Sequence, residues 1–232
     1  MDVQVINAND IEDAWFQCIW NIIDNGYKYI IEHGSFIGNQ RLEFDFAVIK
    51  IKNAYKEPYD LMLPKIPSHY NIPDPVCEGY VEQYLPYLMT ADIQNDEDYT
   101  YGERICEVFS HINGIEEIYI SQIEHFIKIL KEAPNTNQAI LQVARPEDCL
   151  LEDPPCLRHI DMRVKNNKLV FYPYFRSWDL WGGFPPNLAG IAVLQKYMAD
   201  EIGIEIGEII ASSKGLHIYE YVEEIAKIRA NK

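Results

Sequence analysis

Apolar residues recur along this chain with two periods, and the points where one gives way to the other mark its elements. Ile11, Trp15, Cys18, Ile19, Ile22 and Ile23 follow helical spacing behind Asn9 or Asp10. Either residue can cap a helix that stops near Gly26 or continues as a second segment to Gly34. In LEFDFAVIKI, Leu42, Phe44, Phe46 and Val48 alternate with Glu43, Asp45 and Ala47, the pattern of a half-buried strand. Residues 76–89 read as a helix broken near Pro86, and Ile115 to Lys131 as one strong helix ended by Pro134-Asn135. QAILQVA over 138–144 is a candidate strand. Leu188 to Asp200 is apolar on most faces, so a helix starting just past Pro185-Pro186-Asn187 and closing near Gly203 is expected inside the core. IGEIIASS gives a last strand, Lys214-Gly215 a turn and IYEYVEEIAKIRA a terminal helix. Five of the 13 prolines fall between residues 53 and 75 and predict an irregular excursion there. Helices and strands mix without regular βαβ alternation, which predicts an α+β fold: a mixed β-sheet packed with helices, as a single domain over 1–232.

Residues 154 to 187 are the stretch around which the rest is organised. Two alternating runs flank Asn166-Asn167, a pair that tolerates the positive φ of a tight hairpin turn. With Lys165 facing Lys168, the pairing carried outward sets Cys156 opposite Ser177 and beside Arg176, about 5 Å away between Cα atoms. One β-bulge would shift this register by a residue. A guanidinium beside a thiol favours the thiolate and predicts a pKa below the free value of about 8.5.

Composition narrows the chemistry. A chain of 232 residues, 48% of them hydrophobic, can bury a full core. Its net charge of −16 argues against a nucleic-acid partner, so any anionic ligand must be met by a few local arginines. There is no apolar run of roughly 18 residues or more and no signal-peptide pattern, so the chain reads as soluble and cytoplasmic, with no membrane partner. The five cysteines are odd in number and contain no Cys-x-x-Cys pair; they read as reduced thiols, neither a disulfide framework nor a zinc site. His33, His69, His111, His125 and His159 have no ligand spacing, and no metal is expected.

Three pieces of sequence point further. Pro155-Cys156 is followed, twenty residues on, by Arg176-Ser177-x-Asp179-x-x-x-Gly183-x-Pro185-x-Asn187, and then by His217-x-Tyr219. Each alone would be weak, since a lone strand cysteine is usually a packing residue and a lone buried histidine a core or capping one. Together, in this order and spacing, they resemble the thymidylate synthases, along a contiguous stretch from about Tyr101 to Tyr219. The resemblance implies that fold, with sheets packed back to back in a homodimer. It further implies that Cys156 is the nucleophile adding to C6 of deoxyuridylate (dUMP). Arg176 and Ser177 would bind the phosphate, and Asn187 would read the pyrimidine edge. His217 and Tyr219 would hold the deoxyribose 3′-hydroxyl, and Tyr101 would help remove the C5 proton. Asp179 and Gly183 would meet the pterin, Arg41 would be a further, mobile phosphate arginine, and Glu82 the glutamate that orders water.

The chain departs from the family pattern mainly on the cofactor side. Asn137 and Gln138 stand where two adjacent arginines normally reach the partner subunit's phosphate. Met89-Thr90 replaces a tryptophan that keeps water off the methylene intermediate; Trp178 and Trp181 are expected to shield the pocket from another side. Leu157 stands where a histidine usually follows the cysteine, and the usual closing tail is absent from IRANK. These features resemble a short archaeal-type branch. They imply a reduced one-carbon pterin as cosubstrate, either methylene-tetrahydromethanopterin or methylene-tetrahydrofolate, and methylation of dUMP to thymidylate. The alternatives are a dUMP or deoxycytidylate hydroxymethylase, in which water adds in place of hydride, and a catalytically silent nucleotide-binding protein.

Overall fold

The computed structural model describes residues 2–57, 69, 74–76, 79–93, 95, 97–106, 108–112 and 115–231. Most of the proline-rich excursion expected between 53 and 75 lies outside them, as does Cys77. Strand β1 (Val3–Ala8) leads into helix α1 (Ile11–Asn25), which Asp10 caps by accepting from the Asp13 N–H at 2.9 Å. Next come β2 (Tyr27–Ile30), β3 (Gln40–Glu43) and β4 (Phe46–Ile51). LEFDFAVIKI is therefore two strands. Leu42 is buried in β3, but past Asp45 the buried positions become Ala47, Ile49 and Ile51, so Phe46 and Val48 take the outer face. The irregular residues 44–45 reset the alternation and send the two strands into different sheets.

Helix α2 (Tyr80–Met89) runs unbroken through Pro86 and ends four residues on, where the Thr90 N–H donates to the Pro86 carbonyl. After α3 (Tyr101–Cys106), the stretch expected to be one long helix divides. Strands β5 (Val108–Ile112) and β6 (Ile115–Ile120) form a hairpin, and only then does α4 (Gln122–Glu132) begin, capped by Ser121. Strand β7 (Ile140–Gln142), a 3₁₀ turn over Pro146–Leu150, β8 (Leu157–Lys165), β9 (Lys168–Phe175) and the short β10 (Trp178–Asp179) follow. Helix α5 (Phe184–Ile202) starts earlier than expected and takes in Pro185 and Pro186, which cost nothing in a first turn whose N–H groups lack helical partners. It stops at Gly203, whose φ of 86° suits glycine. Last are β11 (Glu205–Ser213), β12 (Leu216–Tyr219) and α6 (Glu220–Arg229); Ile218 and Tyr219, expected in the helix, extend a strand instead.

Six strands in the order β1-β4-β11-β9-β8-β7 make a mixed sheet. One face, with Ile49, Phe171, Phe175, Ile209 and Ala211 fully buried, joins the core formed with α5 and α1. A second sheet, β10-β12-β3-β2, lies where β9 runs out into β10. The candidate site residues named from the sequence collect at that junction, Glu82 excepted. Among the described residues no helix is long and apolar enough to cross a membrane.

Candidate active site

Asn166 and Asn167 have φ of 52° and 58°, as a two-residue hairpin turn with both central residues left-handed requires. From this turn β8 and β9 pair in the predicted register as far as His159 with Tyr174. There a bulge at Arg158 advances the pairing by one residue, so Leu157 meets Phe175 and Cys156 faces Arg176 where Ser177 was expected. The Arg176 N–H donates to the Cys156 carbonyl at 2.8 Å. Its guanidinium turns back along the segment that carries the thiol: Nε donates to the carbonyls of Pro154 and Pro155, each at 3.2 Å, and Nη2 also meets Pro154.

Cys156 is half-buried, and burial pushes its thiol up; Arg176 and Arg158 pull down, while Asp153 adds to the rise. The net shift is upward, opposite to the depressed value expected from the neighbouring guanidinium. Desolvation of the anion outweighs the cations, so the sulfur is protonated in the free protein at neutral pH.

Next to this segment is a cavity of about 470 Å³, walled by Arg41, Arg176, Ser177, Lys214, Glu43 and Asp153 among others. Arg41 stands on β3, its Nε 2.6 Å from Oε2 of Glu43. Burial raises the Glu43 carboxyl, against the pull of Arg41 and Lys214. Strand β12 lies beside β3 with His217 paired to Glu43 and Tyr219 to Arg41, so the two rings project from one face. Nδ1 of His217 is 2.8 Å from the Gly215 carbonyl, a contact that requires the proton on Nδ1. Nε2 is then a buried acceptor without a hydrogen-bond partner among the described residues. Burial brings this histidine down to about 4, against the Gly215 bond and with help from Arg41.

On the other side of Cys156, α2 and α3 supply tyrosines. Tyr101 is buried and its hydroxyl oxygen accepts from the Leu157 N–H at 3.3 Å, directly after the cysteine. Tyr80, Tyr84, Tyr87, Thr90, Asp92 and Glu97 are among the residues around a second cavity of about 480 Å³. Cys156 lines neither cavity wall. It lies between them, close enough for its charge to be felt by Tyr84, Tyr87 and Tyr101 on one side and Tyr219 on the other.

Asp179 follows Ser177 and Trp178 on β10. Its carboxylate accepts from the N–H groups of Trp181 at 2.9 Å and Gly182 at 3.2 Å, which shapes the turn into α5. Burial still raises it above the usual carboxylate range. A side chain at Gly183 would come within 3.1 Å of the Asp179 carbonyl, so the turn is tightly packed there. Asn187 sits in the first turn of α5 and its Oδ1 accepts from Trp178 Nε1 at 3.0 Å. Its amide is also near the Tyr84 hydroxyl, close enough to oppose that group's rise, although Tyr84 Oη makes no hydrogen bond of ordinary geometry among the described residues.

The structure thus gathers Cys156, Arg176, Ser177, Arg41, His217, Tyr219, Asp179, Gly183, Asn187 and Tyr101 around one sheet junction. Glu82 does not join them: it is exposed on α2, away from buried Val81, Tyr84 and Leu88, and lines neither cavity. Trp178 and Trp181 are core residues, the first stacked on Phe175 and the second against Trp15, and line neither of these two cavities. Asn137 and Gln138 are exposed in the loop after α4.

Several neighbours were not foreseen. Glu43 read as an ordinary polar position of a strand, and Lys214 as a turn residue. Asp148 is buried in the 3₁₀ turn and holds Arg104 Nη1 at 2.9 Å, the Arg145 N–H at 2.9 Å and Arg158 Nη1 at 3.4 Å. The one signal for it was Arg145-Pro146, a turn-start pattern that puts a carboxylate over exposed N–H groups.

The model of the family described as thymidylate synthase matches residues 15–231. A Methanosarcina mazei protein provisionally named as a thymidylate synthase is 31% identical, over 97% of this chain and 95% of its own. A Methanothermobacter thermautotrophicus protein with the same provisional name is 28% identical, over 96% of this chain and 98% of its own. Among solved structures, thermostable thymidylate synthase A from Bacillus subtilis superposes with a TM-score of 0.70 at 20% identity, covering 97% of this chain and 85% of that one.

Proposed function

Because the chain belongs to the thymidylate synthase family, we propose that it methylates dUMP at C5 to thymidylate, using a reduced one-carbon pterin as cosubstrate. One observation carries this reading: Cys156 and Arg176 face each other across the hairpin, with the guanidinium tied to the two carbonyls that precede the thiol. An anion bound at Arg176 and Ser177 is thereby held at a set distance from the sulfur. A planar guanidinium suits two oxygens of a phosphate, and the Ser177 hydroxyl adds a donor. Arg41 completes the charge balance from β3 when the phosphate competes with Glu43 for it.

The remaining side chains match the rest of the nucleotide. Neutral His217 offers Nε2 as an acceptor to the 3′-hydroxyl, and Tyr219 stands next to it on the same strand face. Asn187 reads the base by accepting from N3–H and donating to O4. The Cys156 sulfur releases its proton to solvent as it bonds to C6 and the C5=C6 electron pair passes to C5 and O4; after C5 is substituted and loses its proton, C5=C6 re-forms, the C6–S bond breaks and the leaving thiolate takes a proton back from solvent. Tyr101, neutral and anchored by the Leu157 N–H, is placed to accept or relay that proton. When bound, the pterin supplies the one-carbon unit and the hydride that reduces it. The second cavity fits its ring, with tyrosine faces for a flat heterocycle and Gln83, Asp92 and Glu97 for its polar edge. Holding both reactants in place can be worth about 7–11 kcal/mol of barrier.

Polar Thr90 and Asp92 on that wall favour a second reading, in which water adds to the methylene group and the product is hydroxymethylated. Release of tritium from C5-labelled dUMP, run with each pterin and followed by product mass, tests both. A product one methylene heavier supports methylation, and one heavier by formaldehyde supports the hydroxymethylase. Binding of dUMP with no tritium release in the presence of either pterin would reduce the protein to a nucleotide binder. The outer face of the large sheet presents Val3 and Val5, 56% and 63% exposed, beside Phe46 and Val48. This face supports a homodimer with sheets back to back.

A further inference from the structure

The side chain that reads the pyrimidine in this proposal is ambidextrous. An amide carries an acceptor and a donor on one planar group, and a half-turn exchanges them. With its oxygen toward N3–H and its NH2 toward O4, Asn187 matches uracil. Turned over, it would donate to the bare N3 of cytosine and accept from the 4-amino group, so an amide free to rotate discriminates poorly between the two bases.

Asn187 is not free to rotate. Its Oδ1 accepts from Trp178 Nε1 at 3.0 Å, and an indole nitrogen can only donate. Turning the amide would set NH2 against the N–H of a buried indole, two donors 3.0 Å apart with nothing between them to accept either. The oxygen keeps a second lone pair for the base. The nearby Tyr84 hydroxyl does not choose between the orientations, because a hydroxyl donates and accepts alike. Trp178 itself cannot move aside. It is 2% exposed, stacked on Phe175 with ring centroids 3.9 Å apart and planes within 4°, and flanked by Phe184 at 4.5 Å.

We propose that Trp178 is the positioning residue that makes Asn187 a reader of uracil: its indole N–H holds the amide in the orientation that accepts from N3–H and denies it the one that fits cytosine. The inference rests on the nucleotide role given to Asn187 above.

Equilibrium dialysis of the full chain with labelled dUMP and labelled deoxycytidylate tests it. The wild-type protein should favour dUMP, and Trp178→Phe, which keeps the stacked ring and drops the N–H, should narrow that preference by roughly tenfold, as expected from one hydrogen bond. In an Asn187→Asp background either carboxyl orientation leaves an oxygen in front of the indole, so the same change should move the ratio little. An unchanged ratio in a folded W178F protein overturns the inference while leaving dUMP binding intact, and so does an equal narrowing in both backgrounds. Wild-type protein that binds neither nucleotide removes the role of Asn187 and this inference with it. Should W178F fail to melt cooperatively, benzothienylalanine at 178, which keeps the bicycle without the N–H, makes the same comparison.

Discussion

The backbone N–H of Arg176 donates to the carbonyl of Cys156 at 2.8 Å, which puts the guanidinium-bearing residue straight across the hairpin from the thiol-bearing one. The bulge at Arg158 creates this pairing, and the bonds from Arg176 to Pro154 and Pro155 hold it. Geometry brings charge and sulfur together, yet burial leaves the sulfur protonated.

Alkylation of Cys156 by iodoacetamide should therefore be slow at pH 7 and climb with pH to an apparent pKa above the free value of about 8.5. Mass spectrometry of the labelled peptide over a pH series reads this. A plateau already reached at neutral pH would show the thiolate to be the resting form. Cys156→Ser should abolish tritium release while leaving dUMP binding.

Arg176→Lys keeps the positive charge and loses the planar fork. Weakening of dUMP binding by about 1.5–3 kcal/mol is expected, the usual value of a hydrogen bond to a charged group. Calorimetric titration measures it, and an affinity within twofold of wild type would move the phosphate away from this side chain.

His217 falls to about 4 in the folded chain against 6.5 when exposed. Above pH 6.5 neither state binds the proton and the histidine adds no pH dependence. As pH falls from 6.5 towards 4 the unfolded chain takes up a proton that the folded one refuses, so stability is lost, up to roughly 3 kcal/mol from this group. Urea melts of His217→Gln should lose much of the wild-type slope in that window; identical slopes would assign it elsewhere.

Asp148 is buried against Arg104 and joined by Arg158 and the Arg145 N–H. Asp148→Ala removes the buried partner of Arg104 Nη1 and leaves Glu103, 3.0 Å from Nε, as the remaining carboxylate, so it should cost about 1–3 kcal/mol in denaturant unfolding. A loss below about 1 kcal/mol would mean that water reaches the pair.

Val5→Lys and Val48→Lys place charge on the outer face of the large sheet without touching its core face. Sedimentation should show the wild type as a dimer and the double variant shifted to monomer. A monomeric wild type would end the back-to-back arrangement.

Much of this was legible along the chain, because a residue's own chemistry and its immediate neighbours determined it. The cap at Asp10, the left-handed pair Asn166-Asn167, the stop at Gly203 and the mixed α+β class all follow from local preferences that hold wherever the segment ends up. The spacing from Cys156 through Arg176, Asn187 and Tyr219 was likewise enough to identify the family. Other features depended on partners far off in sequence. Residues 115–120 satisfy a helical period but pair with Val108–Ile112, and the face that β4 buries is set by its neighbours β1 and β11. The bulge that puts Cys156 opposite Arg176, the upward shift of its thiol and the indole holding Asn187 were decided by tertiary packing. Desolvation and hydrogen-bond direction depend on what closes over a group, and no stretch of the chain carries that information by itself.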